Sequence, residues 1–319
     1  MREILVRKAR GDDFTSIQAM SKGIYEGHDY FLCVFHEWLH CPARLIFVAE
    51  LAEKVVGLRA VNIVDDGKTF ISQGLRIHPD YRGQGLSSRL ITSVHEYIRE
   101  HYPSVSRERF TTKSDNIERL AIQKKYGDRA VLDQDILAFY VDKDEVSPET
   151  LDKVSIDKSI RLHPYSKSDA SEIIFCEEVS NVLFQERTLI IDWEPFEALR
   201  SNIDYIFLDM DCLFADRSPA DYKLRGELPK SFSHGRRSPR TDCTHWVTTI
   251  YTDDPLLYHT HLIQQLKCAI NAIKGPFIFS PFQMPSLTIE GRRILNDELQ
   301  LKPVEFFTFG LRLFEKEFK

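Results

Sequence analysis

The sequence offers six cysteines, Cys33, Cys41, Cys176, Cys212, Cys243 and Cys268, and no two of them stand in a C-x-x-C spacing. It also contains no N-x-[ST] glycosylation acceptor. A disulfide-stapled or secreted fold is therefore not expected, and a reducing compartment, the cytosol by default, is. No apolar run approaches the roughly 18 residues that a membrane-crossing helix needs, so no membrane partner is expected. The opening Met1-Arg2-Glu3-Ile4 leads straight into a strand-like segment rather than a signal peptide. Positive charge is not in excess: 42 Lys and Arg against 48 Asp and Glu leave a formal net charge of −6. A broad basic surface for nucleic acid is not indicated, a local patch is not thereby ruled out, and an anionic ligand would need a dedicated site. Clustered metal ligands are missing too. His36-Glu37-Trp38-Leu39-His40 matches the H-E-x-x-H spacing of zinc proteases, but Cys41-Pro42 ends the helix at once and no third ligand stands out, so no metal is expected.

What remains is an ordinary globular composition, 43% hydrophobic and 28% charged over 319 residues. At about 100 to 200 residues per domain, that length favours two cores. Residues 4–8 read as a strand. Asp12-Asp13 then cap a helix whose apolar positions Phe14, Ile17 and Met20 recur at helical spacing. A second helical stretch at 30–40 precedes strands at 44–51, 55–64 and 70–77, the last two joined by the turn Asp65-Asp66-Gly67. From Leu86 the period becomes helical, with Leu90, Ile91, Val94, Tyr97 and Ile98 on one face, and a strand at 104–112 follows Pro103. The charged stretch 143–158, with Ser147-Pro148, reads as a linker rather than core, which places one domain at 1–142 and another at 159–319. The second half repeats the opening of the first: Ile160-Arg161-Leu162, then Ser168-Asp169 ahead of Ile173 and Ile174. Further strands are expected at 205–208 and 246–251, and a helix capped near Asp253 with Pro255 in its first turn. The Pro-, Ser- and Arg-rich segment 228–244, with Arg236, Arg237 and Arg240, reads as a mobile loop.

The most informative stretch is Gly74-Leu75-Arg76-Ile77-His78-Pro79-Asp80-Tyr81-Arg82-Gly83-Gln84-Gly85-Leu86-Ser87-Ser88. It turns from strand to helix through small residues. Glycines let backbone N–H groups approach an anion, and the helix directs its unpaired N–H groups and positive dipole end to the same point. Neither the dinucleotide fingerprint nor the P-loop lysine is present. The stretch resembles the GNAT superfamily of N-acetyltransferases, whose acetyl-CoA loop has the form [RQ]-x-x-G-x-[GA]. Arg82, Gly85 and Ser87 occupy those positions, with serine in place of the last glycine or alanine. The resemblance implies an α/β fold (an α+β mixed sheet) and acetyl-CoA as donor. It also implies pantetheine contacts from the backbone at Leu75 and Ile77, and a pyrophosphate cradle from Gly83, Gln84, Gly85, Leu86, Ser87 and Ser88. A second landmark of the superfamily, an Asn, a helix, a Tyr and a Gly-aromatic pair, finds Asn116 and Gly127 here. The tyrosine that serves as general acid falls by spacing on Gln123, with Tyr126 three residues on, and Gln73 stands where some relatives place a glutamate base.

Ile24-Tyr25-Glu26-Gly27-His28-Asp29-Tyr30 lies between the first two helices, the segment that frames the acceptor pocket in that superfamily. Carboxylates beside an amine favour its ammonium form on binding and can then take its proton, so Glu26 and Asp29 are candidate bases, with Tyr25 and Tyr30 beside them; capping of the second helix is the competing role for Asp29. Together with Ile191-Asp192-Trp193-Glu194-Pro195-Phe196 in the second half, this pattern resembles the vertebrate histidine N-acetyltransferases. That resemblance implies tandem GNAT-like domains, the C-terminal one degenerate and without a glycine loop. It also implies a small-molecule amine, L-histidine, as acceptor, with Trp193 and Glu194 reading the imidazole. The same stretch is equally compatible with a turn whose Trp193 enters the core. The reaction expected is direct attack of the amine on the thioester. The alternatives are an acetyltransferase for a different amine, or a silent acyl-CoA-binding module, suggested by Gln73 and Gln123 at proton-transfer positions.

Overall fold

The computed structural model describes residues 4–117, 127–146, 148–154 and 160–319. They form two compact units. The first comprises the chain up to Phe110 together with Pro239–Asp242 and Glu315–Lys319. In it β1 (Ile4–Lys8), β2 (Arg44–Leu51), β3 (Lys54–Val64) and β4 (Thr69–Ile77) pair antiparallel in that order, and β5 (Arg107–Lys113) joins β4 in parallel. The turn 65–67 forms as the sequence suggests, with positive φ at Asp65, Asp66 and Gly67. Helix α1 (Phe14–Ser21) and helix α2 (Phe31–His40) cover one face of the sheet, where Ile17, Met20, Phe31, Phe35 and Trp38 meet Ile46, Val48, Leu58 and Ala60. Helix α3 (Leu86–His101) covers the other, where Leu86, Leu90, Val94 and Ile98 meet Leu45, Phe47, Ala49 and Phe70. The alternation of β2 divides its residues between the two cores, which is why it reads as an unbroken apolar run. Asp13 acts less as a helix cap than as a clamp, accepting both Arg7 Nη groups at 2.8 Å and the Arg10 N–H at 2.7 Å.

The described residues of the second unit lie within Thr111–Ser238 and Cys243–Phe314. Its strands are β6 (Arg129–Ile136), β7 (Phe139–Val141), β8 (His163–Pro164), β9 (Thr188–Ile191), β10 (Glu194–Glu197) and β11 (Cys212–Ala215). There follow β12 (Phe232–Pro239), β13 (Thr244–Tyr251), β14 (Phe277–Gln283), β15 (Lys302–Pro303) and β16 (Phe309–Glu317). The main sheet of the unit runs β6-β14-β13-β12-β11-β8, with β9 and β10 as a separate hairpin. Parallel β13 and β14 are joined across helix α4 (Pro255–Ala272), whose Asp254 caps Leu256 N–H at 2.8 Å. Tyr258, Leu262 and Leu266 of α4 pack with Trp246, Phe277 and Phe279.

Three expectations for this half are corrected. The segment 143–158 is not bare chain: Pro148–Val154 is helical, and Val146 and Leu151 belong to the core of the unit. Residues 205–208 are not a strand; a short helix covers Ile203–Ile206, and four apolar residues do not separate the two periods. Part of 228–244 is strand β12, not a mobile loop. Its polar residues are satisfied by distant buried partners: Ser233 Oγ lies 2.7 Å from His261 Nδ1, and His234 Nε2 lies 2.7 Å from Asp211 Oδ2. Among the described residues, no helix is long and apolar enough to cross a membrane.

Candidate active site

The site starts from an interruption in the sheet. The parallel pairing of β4 with β5 runs from Thr69↔Arg107 to Ile71↔Arg109 and then stops, while β4 continues to Ile77 along β3. The register of β3 and β4 slips between Leu58 and Ala60, so that Gly74 bulges out at φ +65°. A bulge of this kind bends a strand away from its neighbour and leaves backbone polar groups open to a ligand. Leu75, directly after it, is exposed although apolar. Beyond β4, Pro79–Tyr81 makes a single 3-10 turn and the chain reaches Gly83 and Gly85 at φ +76° and +73°, left-handed values that glycine adopts without strain. Gly85 is the N-cap of α3, and among the described residues no side-chain hydrogen bond caps that helix end.

These pieces enclose a cleft of about 480 Å³ lined by Leu75, Arg76 and Ile77 of β4, Tyr81, Arg82, Gly83, Gly85, Leu86 and Ser87 of the loop, and Ile24. A Cβ built on Gly83 or Gly85 would meet no atom within 4 Å, so both glycines face open space. An uncapped sixteen-residue helix, two glycines that keep the approach to its first N–H groups clear, and an open strand edge next to them fit an elongated ligand with an anionic middle, as acetyl-CoA is. Gln84 of the loop and Ser88 in the first turn of α3 are exposed without lining the cleft. Arg82 Nε donates to the carbonyl of Ile77 at 3.2 Å, folding the loop back on the end of β4.

Beside the cleft, the segment Ile24–Gly27 is a 3-10 turn with left-handed backbone at Tyr25 (φ 51°), Glu26 (φ 55°) and Gly27 (φ 92°). Tyr25 and Glu26 are exposed. Left-handed backbone at two successive residues with side chains costs about 1–2 kcal/mol each, the kind of strain that collects at functional sites. Asp29 differs from Glu26. It is 2% exposed, and its carboxylate accepts Arg76 Nη1 at 2.5 Å, Arg76 Nη2 at 2.7 Å and the Phe31 N–H at 3.0 Å. It thus starts α2 and neutralises Arg76, and taking up a further proton would break a buried bidentate pair. Tyr30 lies next to the bulge: a Cβ on Gly74 would sit 3.6 Å from its hydroxyl. Gln73 is half-buried in β4 opposite Ala60.

A further polar cluster lies under α3 and was not legible in the sequence. Arg59 Nη2 donates to Glu108 Oε1 at 2.6 Å and Ser72 Oγ to the same oxygen at 2.5 Å, while His95 Nε2 sits 3.0 Å from Glu108 Oε2. Burial alone would raise the Glu108 pKa, but the His95 ring, the Arg59 charge and the Ser72 hydroxyl hold it down to about 2. His95 and the Ile91 carbonyl, which accepts Arg59 Nη1, belong to α3, so this cluster ties the helix behind the glycine loop to β3, β4 and β5. An arginine inside an apolar run and a glutamate in a short strand were the only signals.

Asn116, Trp193 and Glu194 belong to the second unit. Asn116 Nδ2 donates to Thr112 Oγ1 at 3.1 Å. Trp193 and Asp192 form the left-handed turn of the β9-β10 hairpin. The indole packs against Phe309 and Phe282 with centroids 5.4 and 6.4 Å away. Glu194 opens β10 opposite Ile191 and is half-buried. Tyr126 and Gln123 lie outside the described residues. Of the H-E-x-x-H pattern, His36 packs on Phe14 and Phe35, and His40 Nδ1 is 2.6 Å from the His36 carbonyl oxygen.

Two family models match the chain: the acetyltransferase (GNAT) family over residues 11–127, and the C-terminal domain of histidine N-acetyltransferase over residues 158–284. The chain is 30% identical over 215 residues to a histidine N-acetyltransferase of Xenopus tropicalis, covering 64% of this chain and 63% of that protein. It is 28% identical over 219 residues to the histidine N-acetyltransferase of Scomber australasicus, covering 65% and 64%. The match thus spans just under two thirds of the length of these relatives. Among solved structures, a tandem GNAT protein from the clavulanic acid biosynthesis pathway shares the fold with a TM-score of 0.58 at 12% identity, over 99% of each chain. The interrupted pairing of β4 with β5, the glycine loop ahead of α3 and the matched models agree: residues 11–127 match the GNAT acetyltransferase family, and residues 158–284 the C-terminal domain of histidine N-acetyltransferase.

Proposed function

We propose that this protein transfers an acetyl group from acetyl-CoA to the α-amino group of free L-histidine, giving N-acetyl-L-histidine. The observation that carries the donor half is the early end of β4-β5 pairing at Ile71↔Arg109, followed by the bulge at Gly74 and the left-handed Gly83 and Gly85 ahead of α3. The acceptor half rests on the histidine N-acetyltransferase domain matched at 158–284 and on the two relatives of that name. When bound, acetyl-CoA supplies a thioester carbonyl open to direct attack by a neutral primary amine. The chain's own residues do the rest. Backbone groups at Leu75 and Ile77 hold the pantetheine arm against the open edge of β4. N–H groups from Gly83 to Ser88 hold the pyrophosphate, with Arg82 bracing the loop. Glu26, an exposed carboxylate on a strained turn, accepts the amine's proton directly or through water, while Asp29 positions Arg76 and the start of α2. Residues 1–142 carry the donor site, and residues 159–319 form a GNAT-like domain without one, so one acetyl-CoA binds per chain. Trp193 and Glu194 recognise the imidazole.

The test is a panel of free amino acids, amines and peptides incubated with acetyl-CoA, with release of free CoA as the readout. Turnover highest with L-histidine supports the reading. Turnover highest with another amine moves the acceptor, and binding of acetyl-CoA without turnover across the panel replaces the enzyme with a silent acyl-CoA-binding module.

A further inference from the structure

Six thiols are scattered along the chain without a C-x-x-C spacing, yet the second unit brings two of them together. Cys212 is the first residue of β11, and Cys268 lies toward the C-terminal end of α4. Strand and helix are pinned to each other by Gln265 of α4. Its Nε2 donates to the Cys212 carbonyl at 3.1 Å and to Ser233 Oγ of the neighbouring β12 at 2.9 Å. Residues three apart share a face of a helix, so Cys268 follows Gln265 onto the same side of α4. There the Cys212 and Cys268 side chains are hydrogen-bonded to each other, and both pack on the apolar core of the unit. Neither is sealed from solvent, since both residues are only half-buried.

The pair is not symmetric. The bond from Cys212 lowers the Cys268 pKa against the opposing effect of burial, and the Gln264 amide, its Nε2 3.8 Å from Cys268 Sγ, adds to the lowering. The same bond raises the Cys212 pKa, as do burial and the charges of Cys268 and Asp211. Cys268 therefore ionises first and is the nucleophile, while Cys212 keeps its proton beside it. A reachable, more acidic thiol next to a second thiol is the arrangement in which oxidation ends at a disulfide instead of running on to sulfinic acid.

We propose that Cys212 and Cys268 are a modification site for peroxides, at which the chain closes a reversible disulfide between β11 and α4. The Cys268 thiolate attacks one oxygen of hydrogen peroxide and the O–O bond breaks. Cys268 becomes a sulfenic acid, and the departing hydroxide takes up the proton that Cys268 had released, leaving as water. The Cys212 sulfur then attacks the Cys268 sulfur: the S–S bond forms, the S–O bond breaks, and the leaving hydroxide carries off the Cys212 proton as a second water. The two sulfurs together give up two electrons, which the peroxide accepts. A thiol reductant such as glutathione reverses the reaction by exchange.

The experiment treats the reduced full-length protein with a stoichiometric amount of hydrogen peroxide, alkylates and digests it, and maps the peptides by mass spectrometry without reduction. Wild type is expected to yield a cross-linked Cys212–Cys268 peptide, lighter than its two free halves by two hydrogens and lost on treatment with glutathione. In Cys212→Ser the sulfenic acid at Cys268 has no resolving thiol, so a cyclic 1,3-diketone should label it several-fold more than in wild type. In Cys268→Ser that label disappears and Cys212 stays a thiol. Wild type in which both cysteines remain alkylatable while the exposed Cys33 is oxidised overturns the proposal and leaves the pair as apolar packing. Oxidation of wild-type Cys268 to sulfinic acid without a cross-link overturns it as well. The wild-type map decides the matter even where a serine variant fails to fold.

Discussion

Replacing Glu108 by Gln removes the one anion in the cluster beneath α3 and leaves Arg59 buried, its side chain 4% exposed, without its counter-charge. The size of the effect follows from the carboxyl's own titration. Its usual pKa of 4.5 applies in the unfolded chain, and the folded protein lowers it to about 2. A difference of that size contributes about 3 kcal/mol to folding. The sign is that of a depressed acid: the contribution is complete above pH 4.5, where both states are ionised, and disappears as the pH falls toward 2 and the native carboxylate takes up its proton. Urea unfolding of wild type and Glu108→Gln, followed by circular dichroism from pH 7 to pH 3.5, measures it. At pH 7 the variant should be less stable by about 3 kcal/mol, and by pH 3.5 the gap should have narrowed by about 1 kcal/mol. A gap that stays constant over this range would mean that the Glu108 carboxyl titrates alike in the folded and unfolded chain, and the cluster would then not act as an ionised network.

Gly85→Glu should abolish acetyl-CoA binding in calorimetry while the protein still folds, because the side chain has open space but brings a negative charge to the helix end at a left-handed backbone costing about 1–2 kcal/mol; unchanged affinity would move the donor site elsewhere. Asp29→Asn should cost about 3–5 kcal/mol of stability, since it breaks a buried bidentate pair, whereas Glu26→Gln on the exposed turn should stay within about 0.5 kcal/mol and change the pH-rate profile instead; a stable Asp29→Asn protein would return Asp29 to the list of bases. Trp193→Ala and Glu194→Ala should each raise the KM for L-histidine with acetyl-CoA affinity retained, and unaffected histidine kinetics in both folded variants would leave Trp193 as core packing against Phe282 and Phe309.

The sequence by itself determined the elements whose signals are local. The helical period from Leu86 to Ile98, the turn Asp65-Asp66-Gly67 and the small residues of the glycine loop each encode their conformation within a few positions, and all appear where the pattern puts them. The glycine loop was legible for the same reason: the need for left-handed backbone is written in the glycines themselves. Tertiary structure alone decided what depends on partners far along the chain. Segment 228–244 looks like a loop because its Ser, His and Arg side chains carry no apolar period, yet Phe232–Pro239 within it is a strand whose Ser233 and His234 are satisfied by Asp211, His261 and Gln265. From the sequence Asp29 is either a base or a cap of the second helix; its pairing with Arg76, forty-seven residues away, appears only in the fold. Arg59 and Glu108 are unremarkable charges until the sheet and α3 bury them together. Burial and ion pairing depend on the whole chain's neighbours, so a linear pattern can name the residues able to titrate or bind but not which of them the fold has already engaged.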